Sequence, residues 1–390
     1  MYITTQEELN TLCERLASCS MLALDTEFVR EKTYFHRLGL IQVAGNGIAA
    51  VIDPILVPDI EPFLKLVKNP DILKVFHAAR QDLEILFRLC GDVVKPVFDT
   101  QVAASVVGWG SQISFAKIVQ KVVGKTIHKT ETYTDWCRRP LSKGQIDYAL
   151  NDVIYLVPVY EKLCRVLKKL DRYDWLNGEF RVLEDPKSFR GPEPGKQYLK
   201  IKNIRHLKPR NLGVLNELAL WRENEAMKRD CLPKSVVRDE PLVEIARQTP
   251  RDIEGFASIR GMYQKEIHKS GKEILEVIAR GLSIPDDQLP VLPEPDGYSA
   301  RRGVEELLAA YVQIRAEELK IEPSILADRK QIHSFVKSFD DKDEALEDHF
   351  LFHGWRKESV GTMLYSILKG EMGLVINKKG GVVLIPTPHE

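Results

Sequence analysis

Five side chains in the first 155 residues have the types and spacings for metal-dependent phosphate chemistry. Asp25 and Glu27 lie in LALDTEF, Asp82 in FHAARQDLEIL, and Tyr148 with Asp152 in IDYALNDVIYL. Asp25 and Glu27 stand two apart at the end of an apolar, strand-like run, so a period of two sends both to one face. Tyr148 and Asp152 stand four apart in a helical pattern and stack on one side of it, with Ile146, Ala149, Leu150, Val153 and Leu156 as packing. Asp82 falls in the first turns of a helix that follows another apolar strand. Each part has an ordinary structural alternative: a solvated strand end, a partner for the helix dipole, a surface pair. Together, four carboxylates without His or Cys ligands form a hard-oxygen set suited to Mg²⁺ or Mn²⁺. Two such ions ~3.5–4 Å apart clamp the attacking and leaving oxygens of an in-line phosphoryl displacement. The set predicts a two-metal nuclease site. A phenol titrates near pH ~10, so Tyr148 is expected to orient the attacking water rather than serve as the main base.

The elements that must position these groups can be read from the pattern. MYITTQEELNTLCERL gives a short strand, a Thr cap with Glu three residues on, and an amphipathic helix. MLALDTEFV, LGLIQVAG and IAAVIDP are strands, the last two joined by a turn at Gly45-Asn46-Gly47. ILKVFHA is a fourth strand running into the helix of ARQDLEILFRLC, and VKPVFDT a short fifth. QVAASVVG, SFAKIVQKVVG and KGQIDYALNDVIYLVPVYEKLCRVLKKL are helices. The alternation predicts an α/β layer with the acids meeting at the carboxyl edge of the sheet. Residues 183–209 form a Pro/Gly/Lys-rich linker or strap, and beyond it the pattern is helical throughout. A second Pro-rich break at 283–297 separates two helical segments that read as a repeat. Trp221, Ala226 and Pro233 are matched by Tyr311, Ala316 and Pro323, each 90 residues on, and the segments close at Gly281 and Gly370.

A chain of 390 residues implies two or three domains. No apolar run approaches the ~18 residues of a membrane span, and the acidic N-terminus is no signal peptide. Six cysteines without a CxxC pair or zinc-like spacing suit a soluble cytoplasmic protein with incidental thiols. The net charge of zero hides a gradient: +4 over residues 1–206, +2 over 207–282 and −6 over 283–390. Phosphate-binding surface is therefore expected in the first two segments. The basic run Lys117, Lys121, Lys125, Lys129, Arg138, Arg139 and Lys143, with Tyr133 and Trp136 inside it, reads either as a guide for phosphates and bases or as a solvated lid. Asp53 and Asp99 end short strands and read as turn formers, and His77 as a structural histidine.

DTEF, HAARQD and YALND resemble the three exonuclease motifs of the DEDD superfamily in its tyrosine-bearing branch. Their spacing, the downstream TDWCRRPLSKGQIDYA and the helical repeat narrow the resemblance, over residues 1–375, to the ribonuclease D family with tandem HRDC modules. The resemblance implies a ribonuclease H-like α/β exonuclease domain at 1–182, a linker at 183–206, an all-α HRDC bundle at 207–282 and a divergent one at 298–375. It implies metal ligation by Asp25, Glu27, Asp82 and Asp152, a water-positioning Tyr148, and two Mg²⁺ or Mn²⁺ ions. It further implies 3′→5′ hydrolysis of RNA ends, tRNA precursors among them, releasing nucleoside 5′-monophosphates, with no obligate protein partner. Leu150 stands where the family's third motif usually has alanine, and DDKDEALED at 340–348 departs from a nucleic-acid-binding surface. Two other readings stay open: a DNA 3′→5′ exonuclease, because 2′-hydroxyl contacts are not located by sequence, and a non-catalytic RNA-binding adaptor.

Overall fold

The computed structural model describes residues 1–127, 134–190, 195–292, 301–341 and 346–387. Tyr2–Ile3 (β1) leads to Gln6–Leu16 (α1), whose Thr5 cap and Glu8 bond reciprocally in a capping box. Met21–Val29 (β2), Arg37–Gly45 (β3) and Ile48–Ile52 (β4) follow, then Glu61–Lys68 (α2), Leu73–Phe76 (β5), Arg80–Cys90 (α3) and Val97–Asp99 (β6). β3 and β4 pair antiparallel with Gly45 opposite Ile48, and the Asn46-Gly47 turn has both φ angles positive, at 48° and 75°. That is the geometry a tight hairpin demands and an Asn-Gly pair supplies.

The strand order is β1-β4-β3-β2-β5-β6, with β5 parallel to both β2 and β6. Helices Thr100–Val106 (α4), Phe115–Val123 (α5) and Lys143–Leu170 (α6) complete this mixed α/β layer. Ala103, Ala104, Ile118, Val153, Leu156 and Leu163 bury against Ala23, Ala44 and Val75 of the sheet. α6 thus lies across the sheet, packed on β4 and β5, and this placement sets the position of the candidate site.

The chain divides into two compact units. The first holds Met1–Glu27, Gly39–Ser188 and Asp296–Glu390, so the α/β fold and the last helical segment cluster together. After Leu176–Leu183 (α7), that last segment comprises Arg302–Leu319, Pro323–Leu326 and Arg329–Asp341, then a π-turn at Lys357–Gly361 and a helix at Thr362–Leu368. Trp175 and Trp355 stack across the two parts with ring centroids 4.1 Å apart and planes 3° from parallel. Arg172 lies over Trp175 and bonds the carbonyls of Val106 and Leu319, and Arg356 lies over Trp355 and pairs with Glu179. A Cβ on Gly108 would sit 2.0 Å from the Lys320 carbonyl oxygen, a separation that only glycine tolerates.

The second unit holds Phe28–Leu38 and Phe189–Pro295. Its helices Pro209–Lys228, Asp239–Gln248 and Gln264–Ser283 enclose a core of Leu215, Leu218, Trp221, Ile245, Phe256, Ile274 and Val277. Tyr34 packs on that core and donates to Glu223 at 2.6 Å, while the Phe35 amide donates to Asp230 at 3.1 Å. The residues directly after Glu27 thus belong with the first helical segment.

The paired positions of the repeat play matching parts: Trp221 and Tyr311 are buried, Ala226 and Ala316 fully so, and Pro233 and Pro323 each open a one-turn helix. The closing glycines differ. Gly281 lies inside a helix, where a Cβ would meet Val214 Cα at 2.5 Å, whereas Gly370 takes a left-handed φ of 73° after its helix. Nor is the chain wholly helical after the linker. Met372–Ile376 and Val382–Pro386 form an antiparallel hairpin, turned by Asn377, whose side chain accepts from the Lys379 and Gly381 amides. Leu374 and Leu384 of this hairpin pack on the adjacent helical core, which gives two short strands the support they lack alone.

Candidate active site

β2 begins with buried Leu22, Ala23 and Leu24 and ends at the two acids. Ala23 of β2 and Val153 of α6 are buried in one core, which holds the carboxyl end of β2 near the helix. Ser142 caps α6 through a reciprocal box with Gln145, fixing the helix start about two turns before Tyr148 and about three before Asp152. As a result, Asp25, Glu27 and Asp152 each offer a carboxylate oxygen within 4.8 Å of the others.

Asp82 arrives by another route. β5, in parallel register with β2, ends at Phe76, and the chain turns through Ala78 at a left-handed φ of 61° before α3 begins. The strain at Ala78 is held by Asp99, which accepts from the Ala78 and Ala79 amides at 3.0 and 2.8 Å while capping α4. In the first turn of α3, buried Asp82 accepts the Thr26 hydroxyl at 2.5 Å. Asp82 therefore stands beside the three-carboxylate cluster, not within it. Thr26, lying between the two acids on β2, was missed by the sequence reading, because its alternation aims it away from them.

The carboxylates keep an opening to solvent, yet the protein around them is dense enough for burial to dominate their protonation. Burial, then Asp82, Asp152 and Glu27, push Asp25 well above the usual carboxylate range. Burial, Asp152 and Asp82 push Glu27 up to about 8. Burial pushes Asp82 up to about 7 against the opposing bonds from Thr26 and the backbone. Like charges held together in a low dielectric call for a cation. An all-carboxylate donor set fits a hard divalent ion.

The remaining candidates fall into structural roles. Asp53 is fully buried, accepts from the Ile55 and Leu56 amides and pairs with Arg139. Asp99 is the junction clamp described above. The His77 ring nitrogens lie 2.9 Å from Thr100 Oγ1 and 3.1 Å from the Ile113 carbonyl, and burial lowers its pKa. Within the basic run, Arg139 is committed to Asp53, and Trp136, at 4% exposure, has no face open for a base. Lys121 and Lys125 lie over Trp109 and Tyr155, while Arg138 is exposed. Lys129 and Tyr133 lie outside the described residues, as do positions 342–345 of the acidic stretch.

Comparisons with known proteins bear on the family of the chain. The 3′-5′ exonuclease family matches residues 1–168 and the HRDC domain family residues 211–278. The chain is 36% identical to a ribonuclease D of Nitrobacter hamburgensis, over 98% of each chain. It is 38% identical to one of Acidiphilium cryptum, over 95% of this chain and 94% of that one. The crystal structure of Escherichia coli RNase D, described as an exoribonuclease involved in structured RNA processing, superposes with a TM-score of 0.83 at 32% identity, covering 95% of this chain and 98% of that one. With sequence and fold alike over nearly its whole length, the chain belongs to the ribonuclease D family.

Proposed function

We propose that the chain is a metal-dependent 3′→5′ exoribonuclease whose ligands are Asp25, Glu27, Asp82 and Asp152, holding two Mg²⁺ or Mn²⁺ ions. The observation that carries this reading is the cluster of Asp25, Glu27 and Asp152 within 4.8 Å, with Asp82 close enough to raise the pKa of two of its members. When bound, the ions supply an acidified water and neutralise charge on the phosphate in flight. The protein's own part is to hold four oxygens in place before substrate arrives. β2 fixes two, α6 fixes one, and the Thr26 bond fixes Asp82. Tyr148, one helical turn before Asp152, directs its phenol to the attacking water and sets the angle of approach to the terminal phosphodiester.

The products are nucleoside 5′-monophosphates, and the substrates are RNA 3′ ends, tRNA precursors among them. Exposed Arg138 and Lys143 support a path for the strand's phosphates. The domain limits we favour are 1–182 for the exonuclease, 183–206 for the linker, and 207–282 and 298–375 for the HRDC modules. The family matches at 1–168 and 211–278 support the first of these and the first module. Six free cysteines support a reducing, cytoplasmic setting.

The test is release of mononucleotides from matched RNA and DNA oligomers with Mg²⁺ and with EDTA. Release from RNA that EDTA abolishes is the expected result. Preference for DNA would favour a DNA exonuclease, and no release from either would favour the adaptor.

A further inference from the structure

Arg139 fastens the segment 134–140, which feeds α6, to the sheet. All five guanidinium N–H groups of Arg139 are used. Nε and Nη2 donate to Asp53 at 2.5 and 2.7 Å, Nη2 also to the Gly39 carbonyl at 2.8 Å, and Nη1 to the carbonyls of Trp136 and Arg138 at 2.7 and 2.9 Å. Asp53, fully buried, takes a further bond from the Tyr2 hydroxyl at 2.5 Å. Burial works to raise the Asp53 pKa, but the bonds from Arg139 and Tyr2 outweigh it and hold the carboxyl ionised. The segment then lies so close on β3 that a Cβ at Gly39 would sit 2.6 Å from the Trp136 carbonyl oxygen. What this anchorage places is an indole. Trp136 is buried at 4% exposure, with its ring 6.1 Å from that of Tyr148 and 32° from parallel.

A tyrosine on a helix face has two side-chain torsions by which its hydroxyl can swing, and a group that aims a water tolerates little swing. A rigid ring seated beside the phenol removes the alternatives. We propose that Trp136, held by the Arg139–Asp53 clamp, is a positioning residue that fixes the Tyr148 phenol over the acid cluster. This rests on the water-directing role assigned to Tyr148 above. It also accounts for an arginine in a basic run that is turned inward and unavailable to phosphate.

The experiment is a double-mutant cycle on a single-stranded oligoribonucleotide at saturating Mg²⁺, reading kcat and KM for the wild type, Trp136→Ala, Tyr148→Phe and the double variant. Trp136→Ala should lower kcat roughly tenfold, with KM unchanged within about twofold, and Trp136→Phe should recover most of the loss. In the Tyr148→Phe background the same Trp136→Ala change should cost less than about twofold, because no hydroxyl is left to misplace. Equal losses in both backgrounds would overturn the proposal and make Trp136 a packing residue. A Tyr148→Phe enzyme at wild-type rate would instead overturn the role of Tyr148 itself. Should Trp136→Ala fail to fold, Arg139→Lys takes its place in the cycle. It keeps the charge opposite Asp53 but drops the fork that bonds Gly39 and Trp136, and the same contrast between backgrounds decides.

Discussion

The Thr26 hydroxyl donates to the Asp82 carboxylate at 2.5 Å, joining two chain positions 56 residues apart. The bond favours the ionised form of Asp82 against the burial that would neutralise it. Thr26→Val removes the donor and keeps the shape. Losing a hydrogen bond to a charged group is worth about 1.5–3 kcal/mol, so the Mg²⁺ concentration for half-maximal activity should rise roughly tenfold or more. An unchanged Mg²⁺ titration at pH 7 would show that Asp82 does not need Thr26.

Asp25→Asn should abolish Mg²⁺-dependent hydrolysis and leave the circular dichroism spectrum intact. Because Asp25 is repelled by Asp82, Asp152 and Glu27, the same change should also raise the melting temperature of the metal-free protein at pH 8. Near-wild-type hydrolysis, or a lower melting temperature, would contradict the cluster as drawn.

Glu27 and Asp82 are raised from 4.5 to about 8 and from 3.8 to about 7. Between those limits the folded protein binds more protons than the unfolded chain. Stability without metal is therefore fully present at low pH and falls as pH rises through about 7 to 8. Divalent metal should reverse this slope, since it takes the place of the protons. Melting curves from pH 5 to 8.5, with Mg²⁺ and with EDTA, check both signs; parallel curves would refute the coupling.

Asp99→Ala takes the acceptor from the Ala78 and Ala79 amides and the cap from α4. A loss of about 2–4 kcal/mol in stability is expected. Activity should fall further than stability explains, because Ala78 is the turn that delivers Asp82. The check is kcat measured well below the melting temperature, compared with a surface variant of equal destabilisation.

Much of this arrangement was legible in the sequence because it is written in local code. The strand of Asp25 and Glu27, the Asn46-Gly47 hairpin and the capped helix of Tyr148 and Asp152 each depend on residues a few positions apart. What stayed hidden depends on partners that meet only after folding. Arg139 and Asp53 are 86 residues apart, and in sequence such a charge looks like any solvated one. Trp136 stands in a basic run that suits either a guide for phosphates and bases or a solvated lid, and its burial beside Tyr148 could not be inferred without knowing that Gly39 leaves it room. The carboxyl-terminal hairpin was hidden for a different reason. Its strands lack a clean alternation, because Val375 and Val383 are left exposed on the face opposite Leu374 and Leu384.

The stacked pair Trp175 and Trp355 bears on any attempt to trim this enzyme to its smallest working part. A chain cut after residue 182 would keep every acid of the candidate site. It would also strip the cover from an indole, leave Arg172 without the Leu319 carbonyl and Glu179 without its arginine. Such a fragment would present a fresh sticky face, so a useful truncation would first have to repaint that face, beginning with a polar side chain in place of Trp175.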